Sequence, residues 1–182
     1  MSTPAQVEVV QYQSNGSMET IVIAVQYRRL NGSVETIMAY TAEQIATAKE
    51  SWNFWRPLVP TDILVAAWLG NEDGETSFVA RPGDNGEAEG AFQWWPGRRD
   101  IIMLNTGIDV VTAPHIEQLK AAHWEITMSK TYKHVWPIFL EQRSSLQGAI
   151  TVLVRDYEQS ASPQVDVKKR VAMAKYWLSV FA

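Results

Sequence analysis

Two acidic side chains in one glycine-rich stretch have the surroundings that acid–base chemistry needs. The stretch runs from Gly70 to Trp95 and holds six carboxylates against a single base, Arg81. Glu75 follows an apolar segment, and an apolar wall disfavours the charged form, so this carboxyl should hold a proton near neutral pH. Asp84 lies in a Pro-Gly-Asp-Asn-Gly turn that should leave it polar and ionised. A protonated and an ionised carboxyl are the pair that glycoside hydrolysis requires.

A solvated surface or a metal site would also use acidic residues, but each fits the stretch less specifically. Acidic loops are most often solvated surface, and Glu72, Asp73 and Glu87 are predicted to be solvated. Glu89 is an alternative to Asp84 as the second carboxylate. The spacing of a calcium loop, D-x-[DN]-x-[DN]-G-x5-E, is absent. Zinc would need Cys or His, but the chain has no Cys and its three His fall on predicted helices away from the stretch. No metal or organic cofactor is therefore expected.

Composition indicates one compact globular domain with a small appendage. The chain has 182 residues, 46% of them hydrophobic and 20% charged; its net charge is −4, and no run of Lys or Arg stands out. That balance argues against a general nucleic-acid binder. The start, MSTPAQVEVVQY, lacks the features of a signal peptide, and no apolar run reaches membrane-spanning length, so no membrane insertion is expected.

The first forty residues have a pattern of their own. Residues 10–21 and 25–37 are near copies, and each centres on an Asn-Gly pair between β-prone residues. Asn-Gly in that setting is a strong hairpin signal. We therefore predict strands near 6–13, 18–28 and 34–40, which form a three-stranded antiparallel β meander, with turns at Asn15-Gly16 and Asn31-Gly32. Residues 1–40 are predicted to be an extension for docking or assembly.

Residues 41–182 follow a helical pattern around the acidic stretch. A capping box at Thr41 opens the first helix, and a short apolar helix over 63–69 ends at Gly70, so that 71–96 becomes a loop or small hairpin. Further helices are predicted at 97–106, 113–128, 131–142, 145–159 and 163–181. The predicted fold class is α+β and mainly α, with residues 41–182 as the chemical domain.

Three short motifs occur in order over residues 60–182. The first is Gly70-Asn71 with Glu75-Thr76 and Phe78, the second runs from Gly83 to Gln93 and continues into Trp94 and an arginine, and the third is Tyr157-Glu158 behind an apolar helix. In these motifs the chain resembles the lysozyme superfamily, closest to phage tail lysozymes, goose-type lysozymes and lytic transglycosylases. The resemblance implies a lysozyme-like helical domain. Thr76 and Ala91 depart mildly from the pattern, and Glu158 replaces the usual Asn.

The resemblance also implies roles for single residues. Glu75 would be the general acid, and Asp84 falls where goose-type enzymes keep the carboxylate proposed to position water. Gln93 matches the glutamine that lines the cleft, and Tyr157 matches the tyrosine near the catalytic glutamate. Besides these, the indole rings of Trp94-Trp95 suit either core packing or the face of a sugar.

The activity implied by the resemblance is cleavage of the β-1,4 bond between N-acetylmuramic acid and N-acetylglucosamine in peptidoglycan. Carboxyl groups about 6.5–9.5 Å apart would predict an inverting hydrolase, whereas a remote Asp84 would favour a lytic transglycosylase. The missing signal peptide and the meander favour a phage tail or baseplate component that opens the wall during DNA entry, with the meander pairing with another tail protein or another copy. Two alternatives stay open, an endolysin released by a holin and an inactive structural tail protein or glycan-binding module.

Overall fold

The computed structural model describes residues 7–12, 22–28, 34–79 and 86–182. The chain divides into two compact units, Met1–Thr47 and Ala48–Ala182. The first unit contains β1 (Val7–Tyr12), β2 (Val22–Arg28) and β3 (Val34–Tyr40), which pair antiparallel in the order β1-β2-β3. Both predicted Asn-Gly turns lie outside the described residues. The predicted domain boundary after residue 40 and the docking role of the extension stay predictions.

Helices dominate the rest of the described chain, which confirms the mainly α prediction. The capping box holds, because the Thr41 backbone N–H donates to Gln44 Oε1 at 2.8 Å and the Gln44 N–H donates to Thr41 Oγ1 at 3.2 Å. The helices are α1 (Ala42–Trp55), α2 (Asp62–Thr76), α3 (Pro96–Thr106), α4 (His115–Met128), α5 (Val135–Glu141), α6 (Leu146–Val152) with a π-helical turn (Leu153–Tyr157), and α7 (Pro163–Phe181). Among the described helices, none is both long and apolar enough to cross a membrane.

Helix α2 is twice as long as predicted, because Gly70 does not end it. A Cβ at Gly70 would lie 2.6 Å from both the Ala174 Cβ and the Arg170 carbonyl oxygen of α7, and one at Gly74 would lie 2.7 Å from the Arg170 side chain. Both glycines therefore serve the close approach of α2 and α7 rather than a turn. The helix ends instead at Ser77, which adopts the left-handed conformation with φ 54°. Residues 71–76, predicted as a loop, are helical and lie against α7.

Replacing Gly70 by alanine is expected to destabilise the protein by about 1–3 kcal/mol, the usual cost of overpacking a tight contact. The clash outweighs the better helix propensity of alanine, which is worth up to about 1 kcal/mol. Gly97→Ala in α3 is the matched control, because a Cβ there meets nothing within 4 Å, and it should leave stability unchanged or raise it slightly. Chemical denaturation of both variants measures the two free energies of unfolding. Equal stability of the two variants would contradict the close-approach role of Gly70.

Two of the three acids that were predicted to be solvated are buried, which corrects that expectation. Glu72 and Asp73 are 0% and 1% exposed, whereas Glu87 is exposed. Asp73 Oδ2 accepts the indole N–H of Trp177 on α7 at 2.9 Å. They are buried because α2 continues past Gly70 and is covered on both sides by other helices. The two acids therefore join helices instead of facing water.

His115 links Glu72 to a second carboxylate and is thus not remote from the acidic stretch. Its Nε2 lies 2.6 Å from Glu72 Oε1, its Nδ1 lies 2.6 Å from Glu50 Oε2, and the Ser51 hydroxyl donates to Glu72 Oε2 at 2.7 Å. Burial by itself would lower the pKa of His115, but the two carboxylates outweigh burial and raise the pKa to about 9. A protonated imidazole donates to both acids, so the cluster ties α1, α2 and α4 together.

The stability that His115 contributes should fall as the pH rises toward 9. A folded-state pKa of about 9, above the ordinary 6.5, means that the contribution is complete below about pH 6.5 and is lost as pH passes 9. We expect His115→Gln to cost about 2 kcal/mol at about pH 6 and clearly less at about pH 9.5, as measured by urea denaturation at both pH values. The difference between wild type and variant cancels the titration of all groups that His115 does not contact, and leaves that of His115 with its two carboxylates. A cost that does not change with pH would contradict the charged pair.

Candidate active site

A polar cleft of about 340 Å³ lies where the end of α2 meets the start of α3, the segment after the π-helical turn, and α7. Its walls carry carboxylates, guanidinium groups and an exposed indole, a mixture suited to a polar ligand with flat apolar faces. The cleft is lined by Glu75, Gln93, Trp95, Arg98, Glu158, Gln159, Ser160, Ala161, Asp166 and Arg170.

Glu75 reaches the cleft from the last turn of α2. Its side chain is 16% exposed, and its Oε1 accepts a hydrogen bond from Arg170 Nη2 at 2.5 Å. Arg170 is itself buried and also donates to Asn71 Oδ1, one helical turn before Glu75. The carboxyl is therefore held by a buried guanidinium and not only by an apolar wall. This contact fixes the orientation of Glu75 toward the cleft.

Asn71 links Arg170 to a second carboxyl, that of Glu158. Its Nδ2 donates to Glu158 Oε1 at 2.6 Å while its Oδ1 accepts from Arg170. Glu158 follows the π-helical turn, a feature that is often found at functional sites because it redirects the side chains after it. The Glu158 side chain is only 6% exposed and lines the same cleft as Glu75.

The environment of Glu158 favours its protonated form. Burial and the nearby negative charge of Glu75 raise the pKa of Glu158 to about 8, while Arg98, Arg170 and the hydrogen bond from Asn71 oppose the shift. Arg98 Nη1 is 3.7 Å from Glu158 Oε2, too long for a good hydrogen bond. Near neutral pH the protonated form of Glu158 is therefore favoured, and a protonated carboxyl in a cleft is able to act as a general acid.

Glu125 of α4 lies beneath the cleft and binds several of the side chains that support it. Its carboxylate accepts two hydrogen bonds from Arg98, at 2.9 and 2.8 Å, and one each from the Trp94 indole N–H and the Tyr157 hydroxyl, both at 2.9 Å. The Arg98 guanidinium also lies over the rings of Tyr157 and Tyr132, at 4.8 and 4.7 Å from their centroids. A guanidinium group that donates two hydrogen bonds to one carboxylate is held in a fixed orientation. The Arg98–Glu125 pair is therefore a rigid support for the cleft.

The predicted site residues divide between the cleft, the core and the part of the chain outside the described residues. Glu75, Gln93 and Trp95 line the cleft; Trp95 is 47% exposed, and Gln93 Nε2 donates to the Gly90 carbonyl at 3.1 Å. Trp94 and Tyr157 are 0% exposed, and side chains without exposed surface cannot touch a sugar, so both support the cleft from below. Glu89 pairs through its backbone with that of Trp94 and does not line the cleft. Asp84 lies outside the described residues.

Sequence reasoning missed three charged residues of this site. Arg170 and Glu125 were not singled out, because each meets its partner across a large sequence separation, 95 residues for Arg170 and Glu75 and 27 for Glu125 and Arg98. Glu158 was noted only as a departure from the motif. The Tyr157-Glu158 step was the one sequence signal that could have found it.

The domain is mainly helical, and a carboxyl in the last turn of its buried helix α2 faces a polar cleft. The profile of the phage tail lysozyme family matches residues 46–181, well over half of the chain, and the chain belongs to that family. The family indicates a lysozyme-like peptidoglycan hydrolase of phage origin that is associated with the virion tail. A search among curated proteins found no match.

Proposed function

We propose that the chain cleaves the β-1,4 bond between N-acetylmuramic acid and N-acetylglucosamine in peptidoglycan. The observation that carries the proposal is the placement of Glu75, which the end of α2 and Arg170 direct into a cleft that also holds Gln93 and Trp95. In the lysozymes that the chain resembles, the catalytic glutamate occupies the position of Glu75, and we assign Glu75 the same role of general acid. The family match supports peptidoglycan as the substrate class.

In this proposal the cleft supplies an aromatic face and an amide for the sugar, and the Glu75 carboxyl for the bond. Trp95 is exposed at the rim and offers its indole face to a sugar ring. Gln93, fixed by its hydrogen bond to Gly90, presents an amide to the N-acetyl and hydroxyl groups. Asp84, the predicted water-positioning carboxylate, keeps that role as a proposal from the resemblance.

The products of digestion test the proposal. Purified peptidoglycan is incubated with the full chain, and the released muropeptides are identified by mass spectrometry. Hydrolysis predicts muropeptides that end in reducing N-acetylmuramic acid. Products with a 1,6-anhydro end would instead assign a lytic transglycosylase, and the absence of any soluble product would leave the alternative of a structural or glycan-binding tail protein.

For the biological setting, we propose action from the virion during DNA entry, with the N-terminal β strands as the docking element on other tail proteins or on a second copy. The family supports the tail setting, and the edge strands of an antiparallel sheet are in general suited to addition of a further strand. Mass spectrometry of purified virions should detect the chain. Its presence in lysates but not in virions would favour the endolysin alternative.

A further inference from the structure

A second groove runs between α6 and α7, on a face of α7 that does not line the cleft. It consists of two adjoining cavities of about 510 and 410 Å³, which share Gln147, Gln164 and Val167 in their walls. Residues three or four apart lie on one face of a helix. Asp166 and Arg170 therefore share the face of α7 that lines the cleft, whereas a different set with this spacing, Gln164, Lys168, Val171 and Lys175, lines the groove.

The α6–α7 groove carries three positive charges, and none of the residues that line it in the described part of the chain is acidic. The charges belong to Arg155, Lys168 and Lys175, whose side chains are exposed. None of the three forms an ion pair with the described residues. Because the chain as a whole has a net charge of −4, this groove is a local basic surface, and it should attract an anionic ligand.

The other side chains of the α6–α7 groove narrow the chemistry of that ligand. The side-chain amides of Gln147 and Gln164 make no hydrogen bond to the described residues, and each offers both donors and acceptors, as a peptide bond does. Val167 and Val171 are half-buried between the polar groups and give the groove an apolar strip. Cations, amides and a small apolar strip together fit a short peptide with free carboxylates.

We propose that the α6–α7 groove binds the peptide stems of peptidoglycan through their free carboxylates. A stem is a short peptide of mostly small residues that keeps carboxylates along its length and at its end. The stems project from the glycan strand, so one polymer would occupy the groove and the cleft together, and this second contact would retain the chain on the wall. The inference takes its substrate from the proposed function and leaves Glu75 as the general acid.

Binding to purified peptidoglycan sacculi tests the inference. The full chain carries Glu75→Gln so that the wall stays intact, and the sacculi are first freed of phosphate polymers. We expect Lys168→Gln with Lys175→Gln to weaken binding at low ionic strength roughly 3–30-fold, the effect of losing two exposed ion pairs. Lys130→Gln with Lys133→Gln is the matched control, because both lysines are exposed and neither lines the groove. The control should bind within about twofold of the unmodified groove.

Two further readouts separate carboxylate binding from general charge and from folding. Sacculi whose carboxyl groups have been converted to amides should bind the chain with an unmodified groove as weakly as untreated sacculi bind the groove variant. High ionic strength should remove the difference between the groove variant and the control, because exposed charges are screened. Thermal melting should give the same transition for both variants, since the exchanged side chains are exposed and pair with none of the described residues.

The outcomes distinguish the inference from the proposed function. Equal binding by the groove variant and the control overturns the inference, and so does a difference of the same size on amidated sacculi. A difference that appears only on sacculi that keep their phosphate polymers assigns the groove to those polymers and also overturns it. If the chain with its native Glu75 releases muropeptides while the groove variant binds normally, only the inference fails. If it releases none but binds through the groove, only the proposed function fails.

Discussion

Replacing Glu75 by glutamine is expected to lower the rate of peptidoglycan cleavage roughly 10²–10⁴-fold. Glutamine has nearly the same shape but neither carries a negative charge nor exchanges a proton, so the loss is expected for a proton donor and for a charged stabiliser alike. The change removes the partner of Arg170 but leaves the amide oxygen as an acceptor, so the helix packing should persist. The measurement is release of soluble muropeptides by wild type and variant at equal concentration.

Glu87→Gln is the matched control for that variant. Glu87 belongs to the same acidic stretch, but it is exposed and does not line the cleft. Its replacement should leave the rate within about twofold of wild type, as a solvated surface charge would. If Glu75→Gln cleaves as fast as Glu87→Gln, the catalytic carboxyl lies elsewhere. Circular dichroism of both variants shows whether any loss comes from unfolding.

Replacing Glu125 by leucine is expected to destabilise the fold by about 3–5 kcal/mol, the cost of removing one partner from a buried ion pair. The change leaves Arg98 charged and buried and removes the acceptor of the Trp94 and Tyr157 donors. A loss of that size is a large part of the roughly 5–15 kcal/mol that holds most domains together. Thermal melting should show a decrease of about 10 °C.

Two comparisons test the cause of that loss. Glu117→Leu removes an acid from the same helix, but Glu117 pairs with Lys120 at the surface, so the expected cost is below about 1 kcal/mol. The double variant Glu125→Leu with Arg98→Leu removes the orphaned charge and should be less destabilised than the sum of the single variants. A strictly additive double variant would show that the pair is not coupled.

Local signals determined much of the fold in advance. Ser162-Pro163 predicted the start of the last helix, and α7 runs over 163–181 as expected. Gly107 predicted the end of α3, and it adopts the left-handed conformation there with φ 74°. The buried apolar segment over 63–69 was likewise predicted, but Glu75, which was expected in the loop after it, lies in the last turn of the longer helix α2. Such signals act within one or two helical turns.

The character of the site was decided only by tertiary structure. Gly70 looked like a helix end, but the approach of α7 uses the missing side chain for packing and lets α2 continue. That extension buries Glu72 and Asp73, which composition alone assigned to solvent. A residue type states what a side chain can do, whereas its exposure depends on elements that are distant in sequence.

What the sequence determined by itself is the inventory: a glutamate at the end of a buried helix, a glutamine and tryptophans after a glycine-rich stretch, and a Tyr-Glu step near the end. What only the tertiary structure decided is how charge is shared among them. Arg170 meets Glu75, Arg98 meets Glu125, and Glu158 remains with the amide of Asn71. Partners of this kind lie on different helices, and their distances follow from helix packing, which no short window of sequence contains.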